Sequence, residues 1–509
     1  MPDSKLTWTR VVAPQFNGCA QVTKNTSHSP MRSSGSARAI VGGVMAAILI
    51  TGGVFSAKLI GSGQGEGGGG GGSSSVARPS KPSILLILTD DQRWDTLWAM
   101  PTVHRELVAR GVSFANAFVD DPLCCPSRAS ILTGRYPQST GVWQNAGPHG
   151  GFRAFQDDSS TVAVWLRSAG YRTGLFGKYL NRYAGPYVPP GWDRWVAFSG
   201  PTRYTNYRLN VDGHLKRRGR GAANYSTDVL AAQAISFIRS SRGPVFAYFA
   251  PFAPHPPATP ARQDARAFSD LPAWRPPAYD ERDMSDKPRW ARGLPRLTPR
   301  RQARIEQLRQ RTYASLLSVD RAVGGLVAAL RATGRLQDSL IVFTSDNGFS
   351  WGEHRWASKV VPYEESIRVP FVVRYDRLGL KPRTDGRLVA NIDLAPTFAA
   401  AARTRAPGAV GRNLMPLLSG KNAPWRAELL IEQMAVLGVP TWCEVRTEEF
   451  AYVAYATGEE ELYSLQQDPN ELANRARDPA LASTRGRLRA RARQLCRPPP
   501  PGSPLGFPP

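Results

Sequence analysis

The sequence predicts an α/β fold built on a large, mostly parallel sheet, and three observations carry that expectation. Residues 83–88 form a short apolar run followed by Asp90 and Asp91, and residues 339–347 repeat the pattern, ending in Asp346 and Asn347. Continuous hydrophobicity bounded by polar residues marks a strand buried on both faces, as in parallel sheets covered by helices. Before the second run, Ile305, Leu308, Leu316, Val319, Val323, Leu326 and Leu330 recur at helical spacing across 304–330. Alternating strands and helices make a layered sandwich, with 245–249 and 369–373 as further strands. Open sheets of this kind bind ligands beyond the carboxyl ends of their strands. The acidic residues at two strand ends are therefore the first candidates for a site.

Taken in order, the first 80 residues stand apart from that fold. Residues 1–38 are expected to be a disordered, cytoplasmic N-terminus. Residues 39–57 are uncharged and about as long as a bilayer crossing requires. Lys5, Arg10, Lys24, Arg32 and Arg38 precede them with only Asp3 opposing, which places the N-terminus inside and the remainder outside. The segment reads as a retained membrane anchor or a cleaved signal; Phe55 stands where cleavage after Ala57 prefers a small residue. Residues 58–80 are Gly- and Ser-rich and read as a flexible tether. The catalytic domain is expected over 81–415, a smaller α+β subdomain over 416–497, and a Pro-rich tail over 498–509. Residues 254–299, dense in Pro and Arg, are expected to run over the surface, and 200–220 to form a loop of the pocket wall.

Composition narrows the class. With 42% apolar and 21% charged residues the chain of 509 is globular. Sixty-five Lys and Arg against 40 Asp and Glu leave a net charge of +25. Such a surface attracts polyanions such as sulfated glycans or anionic lipid, although Arg is abundant throughout and a general compositional bias gives the same count. No nucleic-acid motif accompanies the charge, so a nucleic-acid partner is not expected. The five cysteines, Cys19, Cys124, Cys125, Cys443 and Cys496, form neither a disulfide framework nor a CxxC zinc site. Cys443 and Cys496 are able to pair in an oxidising compartment.

Two strand ends supply Asp90, Asp91, Asp346 and Asn347, a set of hard oxygen donors suited to Ca²⁺ or Mg²⁺ rather than zinc. No HExxH motif is present. The strongest chemical feature is Cys124-Cys125-Pro126-Ser127-Arg128, continuing through Leu132-Thr133 to Gly134. This pattern resembles the signature of the sulfatase family, in which the first cysteine is oxidised to formylglycine; the match assigns that role to Cys124. An aldehyde hydrate offers one hydroxyl to attack sulfur and a second to expel the sulfate, which a thiol does not.

Further checkpoints follow in the family's order: Leu88 to Asp91, Gly177-Lys178-Tyr179, Pro254-His255-Pro256, Thr344 to Gly348, Gly352-Glu353-His354, 363–370 and 461–471. The resemblance implies an alkaline-phosphatase-like α/β/α sandwich. It implies a divalent cation held by Asp90, Asp91, Asp346 and Asn347 together with the formylglycine at Cys124. Arg128 would orient the formylglycine. Lys178, His255 and Lys359 would bind sulfate oxygens, with His255 protonating the leaving alcohol. A formylglycine-generating maturation enzyme is the implied partner.

One departure shifts the substrate. Many sulfatases carry histidine two residues after the lysine matching Lys178, and this chain has Leu180 there. Gly177-Lys178-Tyr179-Leu180-Asn181, the double-cysteine signature and 224–228 are similar to the branch containing N-acetylglucosamine-6-sulfatases and related glycosaminoglycan sulfatases, which implies a sulfated sugar. Two other readings stand beside it: a phosphodiester or phosphonate monoester hydrolase of the same superfamily, and an inactive surface protein that binds polyanions.

Overall fold

The computed structural model describes residues 81–502 apart from 380 and 422. The expectations for 1–38, 39–57 and 58–80, and for the end of the 498–509 tail, lie outside the described residues.

Sixteen strands are described. In chain order they are β1 Ser83–Thr89, β2 Val112–Phe114, β3 Ala117–Phe118, β4 Arg172–Gly177, β5 Arg194–Phe198, β6 Tyr207–Val211, β7 His214–Arg218 and β8 Val245–Ala250, then β9 Ser339–Ser345, β10 Phe371–Arg374, β11 Arg383–Asp385, β12 Val389–Ala390, β13 Glu428–Gln433, β14 Trp442–Thr447, β15 Phe450–Tyr455 and β16 Glu460–Ser464. Ten of them form one mixed sheet in the order β11-β2-β10-β9-β1-β8-β4-β5-β6-β7. Its centre, β9-β1-β8-β4-β5, is parallel throughout.

β1 shows why the apolar run folds as it does. Ile84, Leu86 and Leu88 enter one core with Ala129, Leu132, Trp165 and Phe398 from the helices on that face. Leu85 and Ile87 enter the other with Leu230, Phe237, Val319, Val323 and Leu326. Alternate residues thus bury on opposite faces, and each fully buried Leu or Ile contributes roughly 1.5–3 kcal/mol. The predicted helix at 304–330 spans Pro299–Ala332, with Thr298 capping it by accepting from Arg301 N–H. The strand expected at 369–373 begins at Phe371, after Pro370, which has no N–H to give a ladder.

Two expectations need correction. The 200–220 segment is largely a β-hairpin, β6 and β7, that extends the sheet to its edge. The 254–299 excursion carries little regular structure but is not all surface: Tyr279 and Leu297 pack with Ile305, Tyr313 and Trp351 in a small core of their own. Beyond it, β13-β14-β15-β16 form an antiparallel sheet, covered by the Ala482–Leu495 helix through Leu488 and Ala492. Cys443 on β14 and Cys496 after that helix form a disulfide, with Cα atoms 6.6 Å apart.

Candidate active site

The parallel strands deliver the chemistry to one edge of the sheet. β1 ends one residue before Asp90, β9 one residue before Asp346, β4 one residue before Lys178, and β8 shortly before His255. Gly177 makes the approach of Lys178 feasible: at φ +131° a Cβ would collide with the Ala250 carbonyl of the neighbouring strand. The Cys124–Thr133 helix, buried at every residue, presents Cys124 in its first turn.

The nine residues expected from sequence all meet here. Cys124 Sγ lies 3.4 Å from Asp90 Oδ1 and 3.9 Å from Asp91 Oδ1. Lys178 Nζ donates to Asp90 Oδ2 at 2.7 Å. Lys359 Nζ donates to Asp91 Oδ1 and lies 2.7 Å from Cys124 Sγ. Arg128 Nε donates to Asp346 Oδ2 at 2.7 Å, and its Nη1 to the Lys178 carbonyl at 2.9 Å. Asn347 Nδ2 donates to Asp91 Oδ1 at 2.7 Å. His255 Nε2 stands 3.6 Å from Asp91 Oδ2, while its Nδ1 is 2.6 Å from the Pro256 carbonyl. That carbonyl can only accept, so Nδ1 carries a proton and Nε2 is the nitrogen that faces the site.

Electrostatics holds the cluster charged. Burial pushes the carboxyl of Asp90 up, but Lys178, His255 and Arg128 outweigh it and keep the pKa below the usual carboxylate value. Asp91 is treated alike, burial being outweighed chiefly by Lys359 and His255. Burial would likewise discharge both lysines; Asp90 keeps Lys178, and Asp91 keeps Lys359, above the ordinary lysine value. The Cys124 thiol goes the other way, raised by burial despite the two lysines. It is a neutral thiol at physiological pH and a poor nucleophile as it stands. Its Sγ marks the place that the formyl group would occupy.

The donor set fits a hard divalent cation. Ligand atoms of Asp90, Asp91, Cys124 and His255 lie within 4.8 Å of one another, with Asp346 and Asn347 bonded to Asp91. Asp91 Oδ2 is buried and has no hydrogen-bond partner, an expensive state for a carboxylate oxygen unless a ligand meets it. Asp91 also adopts φ +64°, and Val360, next to Lys359, φ +73°. A β-branched residue there is strained by on the order of 1–3 kcal/mol, a cost that concentrates at functional sites.

Several supporting residues escaped the sequence reading. Arg93 Nη1 donates to Glu353 Oε1 at 2.8 Å and to the Phe349 carbonyl at 3.3 Å, tying the segment after Asp91 to the segment bearing Lys359. Glu353 belongs to the Gly-Glu-His motif, but nothing in sequence pairs it with Arg93. His354 Nδ1 lies 2.6 Å from Glu281 Oε2 and its ring stacks on Tyr363 at 3.9 Å, a structural position away from the cation cluster. Asp120, Asp121 and Glu432 are fully buried near the signature helix. Leu180, at the usual histidine position, is buried in the apolar core.

The sulfatase family model matches residues 82–404, and that of the N-sulphoglucosamine sulphohydrolase C-terminal region matches 352–497. Human N-acetylglucosamine-6-sulfatase is 32% identical over 376 residues, covering 69% of this chain and 67% of that protein. The extracellular sulfatase SULF-1 homolog of Drosophila melanogaster is 34% identical over 377 residues, covering 70% of this chain but only 34% of that one. The chain thus spans about a third of the latter relative's length. Among solved structures, BT4656 in complex with its substrate D-glucosamine-2-N,6-O-disulfate superposes with a TM-score of 0.73 at 24% identity, covering 82% of this chain and 97% of that one. The phosphonate monoester hydrolase of Agrobacterium radiobacter gives 0.66 at 24% identity, covering 81% and 94%. At those identities both likenesses speak to the fold alone.

Proposed function

The chain belongs to the sulfatase family, and from that premise we propose that it hydrolyses the sulfate ester of a glycosaminoglycan-type sugar, N-acetylglucosamine 6-sulfate or a close relative, outside the cytoplasm. The observation that carries the reading is the setting of Cys124: a buried, neutral thiol at the start of its helix, against Asp90 and Asp91 on one side and Lys359 on the other. The sugar class is supported by the N-acetylglucosamine-6-sulfatase relatives and by the absence of a histidine at Leu180.

Asp90, Asp91, Asp346 and Asn347 would hold the cation, proposed to be Ca²⁺ with Mg²⁺ as the alternative, and Cys124 once converted would complete its shell. When bound, the cation would polarise a sulfate oxygen. Formylglycine would supply, as its hydrate, the attacking hydroxyl. Arg128, fixed between Asp346 and the Lys178 carbonyl, orients the residue at 124. Lys178 and Lys359 hold buried ammonium groups where negative charge develops on sulfate oxygens, a preorganised arrangement that needs no rearrangement during reaction. His255, with a side chain 30% exposed, is the only one of these groups open to solvent, and its Nε2, when the ring carries a proton on both nitrogens, would deliver that proton to the departing sugar oxygen and leave the Nδ1–H ring behind.

We assign 81–415 to the catalytic domain and 416–497 to the subdomain that closes over it, with 39–57 holding the protein at the membrane. A formylglycine-generating enzyme is the required maturation partner, and nucleic acid is not a substrate. The test compares purified, matured enzyme on glucosamine 6-sulfates, phosphodiesters and phosphonate monoesters. Preferential sulfate release supports the proposal. Faster turnover of the phosphorus esters by orders of magnitude overturns it, and no turnover of any ester favours a polyanion-binding role.

A further inference from the structure

The hairpin that replaced the expected loop at 200–220 carries a charge pattern that the catalytic cluster does not explain. Arg203, Arg208, Lys216, Arg217, Arg218 and Arg220 fall within 18 residues of chain, and the single acid among them, Asp212, is ion-paired with Arg194. None of the six cations has an ion-pair partner among the described residues. Many arginines elsewhere are neutralised, among them Arg489 by Glu460, Arg491 by Glu428, Arg321 by Asp264 and Arg374 by Asp376. What sets this patch apart from other arginines without an ion pair is its place in the fold.

Topology brings the patch to the catalytic edge. β5 runs parallel to β4, so it ends where Lys178 and His255 emerge. β6 is antiparallel to β5 and β7 antiparallel to β6, so β6 starts, and β7 ends, at that same edge. Tyr204, just before β6, donates its hydroxyl to the His255 carbonyl at 2.7 Å, and Asn206 N–H bonds to the Gly219 carbonyl at 2.9 Å. Arg217, Arg218 and Arg220 thus flank the sheet edge that bears the site. Four strand positions separate β8 from β7, roughly 20 Å, more than one sugar ring spans.

Two details suit this strip to an anionic ligand. Arg208 and Arg217 are direct cross-strand partners, and like charges opposite one another are destabilising without a bridging group. Arg218 Nε is buried with no hydrogen-bond partner. Lysine and arginine do guard exposed edge strands against pairing with other chains, but Arg203, Arg208 and Arg220 are not on the edge strand.

We propose that the β6–β7 hairpin is a docking strip for the anionic glycan chain that carries the scissile sulfate, so that the enzyme acts on extended sulfated oligosaccharides rather than on free sugars alone. This rests on the sulfated-sugar reading above and deepens it. Sulfates or carboxylates of neighbouring sugars bridge Arg208 and Arg217 and meet Arg218, which raises encounter rate and affinity in a salt-dependent way.

The test uses the matured full-length protein and the double variant Lys216→Glu/Arg217→Glu, with Arg217→Gln as a milder control. Elution from immobilised heparin, binding to phosphatidylserine vesicles, and kcat/KM on a sulfated hexasaccharide and on N-acetylglucosamine 6-sulfate are measured across salt. The double variant should elute at lower salt and lose about tenfold or more on the hexasaccharide, while the monosaccharide rate, which also reports folding, stays within about twofold. Salt should weaken the wild type more than the variant. Equal losses on both substrates, unchanged heparin elution, or a loss confined to phosphatidylserine vesicles would overturn the proposal, the last in favour of a lipid surface. Heparin elution needs no turnover, so a wild type inactive on every ester would sink the sulfatase reading and still leave the strip tested.

Discussion

Replacing Lys359 by Met removes one charge from a nearly balanced buried set, and the consequence can be sized. Asp90, Asp91 and Asp346 carry three negative charges; Arg128, Lys178 and Lys359 carry three positive ones, all with side chains under 10% exposed. Met fills a similar volume but leaves Asp91 Oδ1 without its ammonium and the cluster at net −1. Removing one partner of a buried ion pair costs about 3–5 kcal/mol. A divalent cation supplies the missing charge, so the variant should be strongly destabilised in chelator and recover disproportionately with Ca²⁺. Saturation at a hundredfold excess over Kd adds about 2.7 kcal/mol to any binder, and the variant should gain more because its site is more negative. Turnover should fall by about 10²–10³, as when a preorganised donor to a developing anion is deleted. Melting of both proteins in chelator and in Ca²⁺, with turnover corrected for conversion at Cys124, reads all three effects. A variant as stable as wild type in chelator, or one whose loss Ca²⁺ does not repair, would refute the charge-balance reasoning.

Three further outcomes are expected. Burial raises the Asp120 carboxyl to about 7, despite a hydrogen bond from Asn391; being protonated in the folded state, it favours folding at low pH, and that stability is lost as pH rises from about 4 to about 7, by at most about 4 kcal/mol. Asp120→Asn should flatten this decline in denaturation midpoints between pH 5 and pH 8, and an unchanged slope would count against it. Opening the Cys443–Cys496 bridge, which closes a loop of 53 residues, should cost about 4 kcal/mol on the chain-entropy account; melting of Cys443→Ser at the wild-type temperature would contradict that. Cys124→Ala should abolish turnover with the fold retained by circular dichroism, whereas Cys125→Ala, which trims only a core side chain, should keep substantial activity. The reverse pattern would place the reactive residue one position later.

Strands buried on both faces were legible because no alternation competes with a continuous apolar run: β1 and β9 stand within two residues of their expected bounds. β7 was not, since His-Leu-Lys-Arg-Arg at a sheet edge meets solvent rather than a core and carries no hydrophobic pattern. The site was legible as motifs but not as geometry. That Lys359 contacts Cys124 across 235 positions of sequence follows only from the order in which strands enter the sheet. Glu353 sits inside a recognisable motif and Arg93 just after one, yet their pairing depends on two loops meeting. Asp121 and Glu432 gave no signal, because a carboxylate buried without a partner looks in sequence like any surface acid.

The claim on which the rest depends is that Cys124 is the converted, reacting residue. Mass measurement of the peptide containing Cys124, from protein made in its native host and assayed for sulfate release in the same preparation, tests it most directly. The account predicts an aldehyde or its hydrate at position 124, an intact thiol at Cys125, and turnover proportional to the converted fraction. Full turnover from protein whose Cys124 is an unmodified thiol would contradict it.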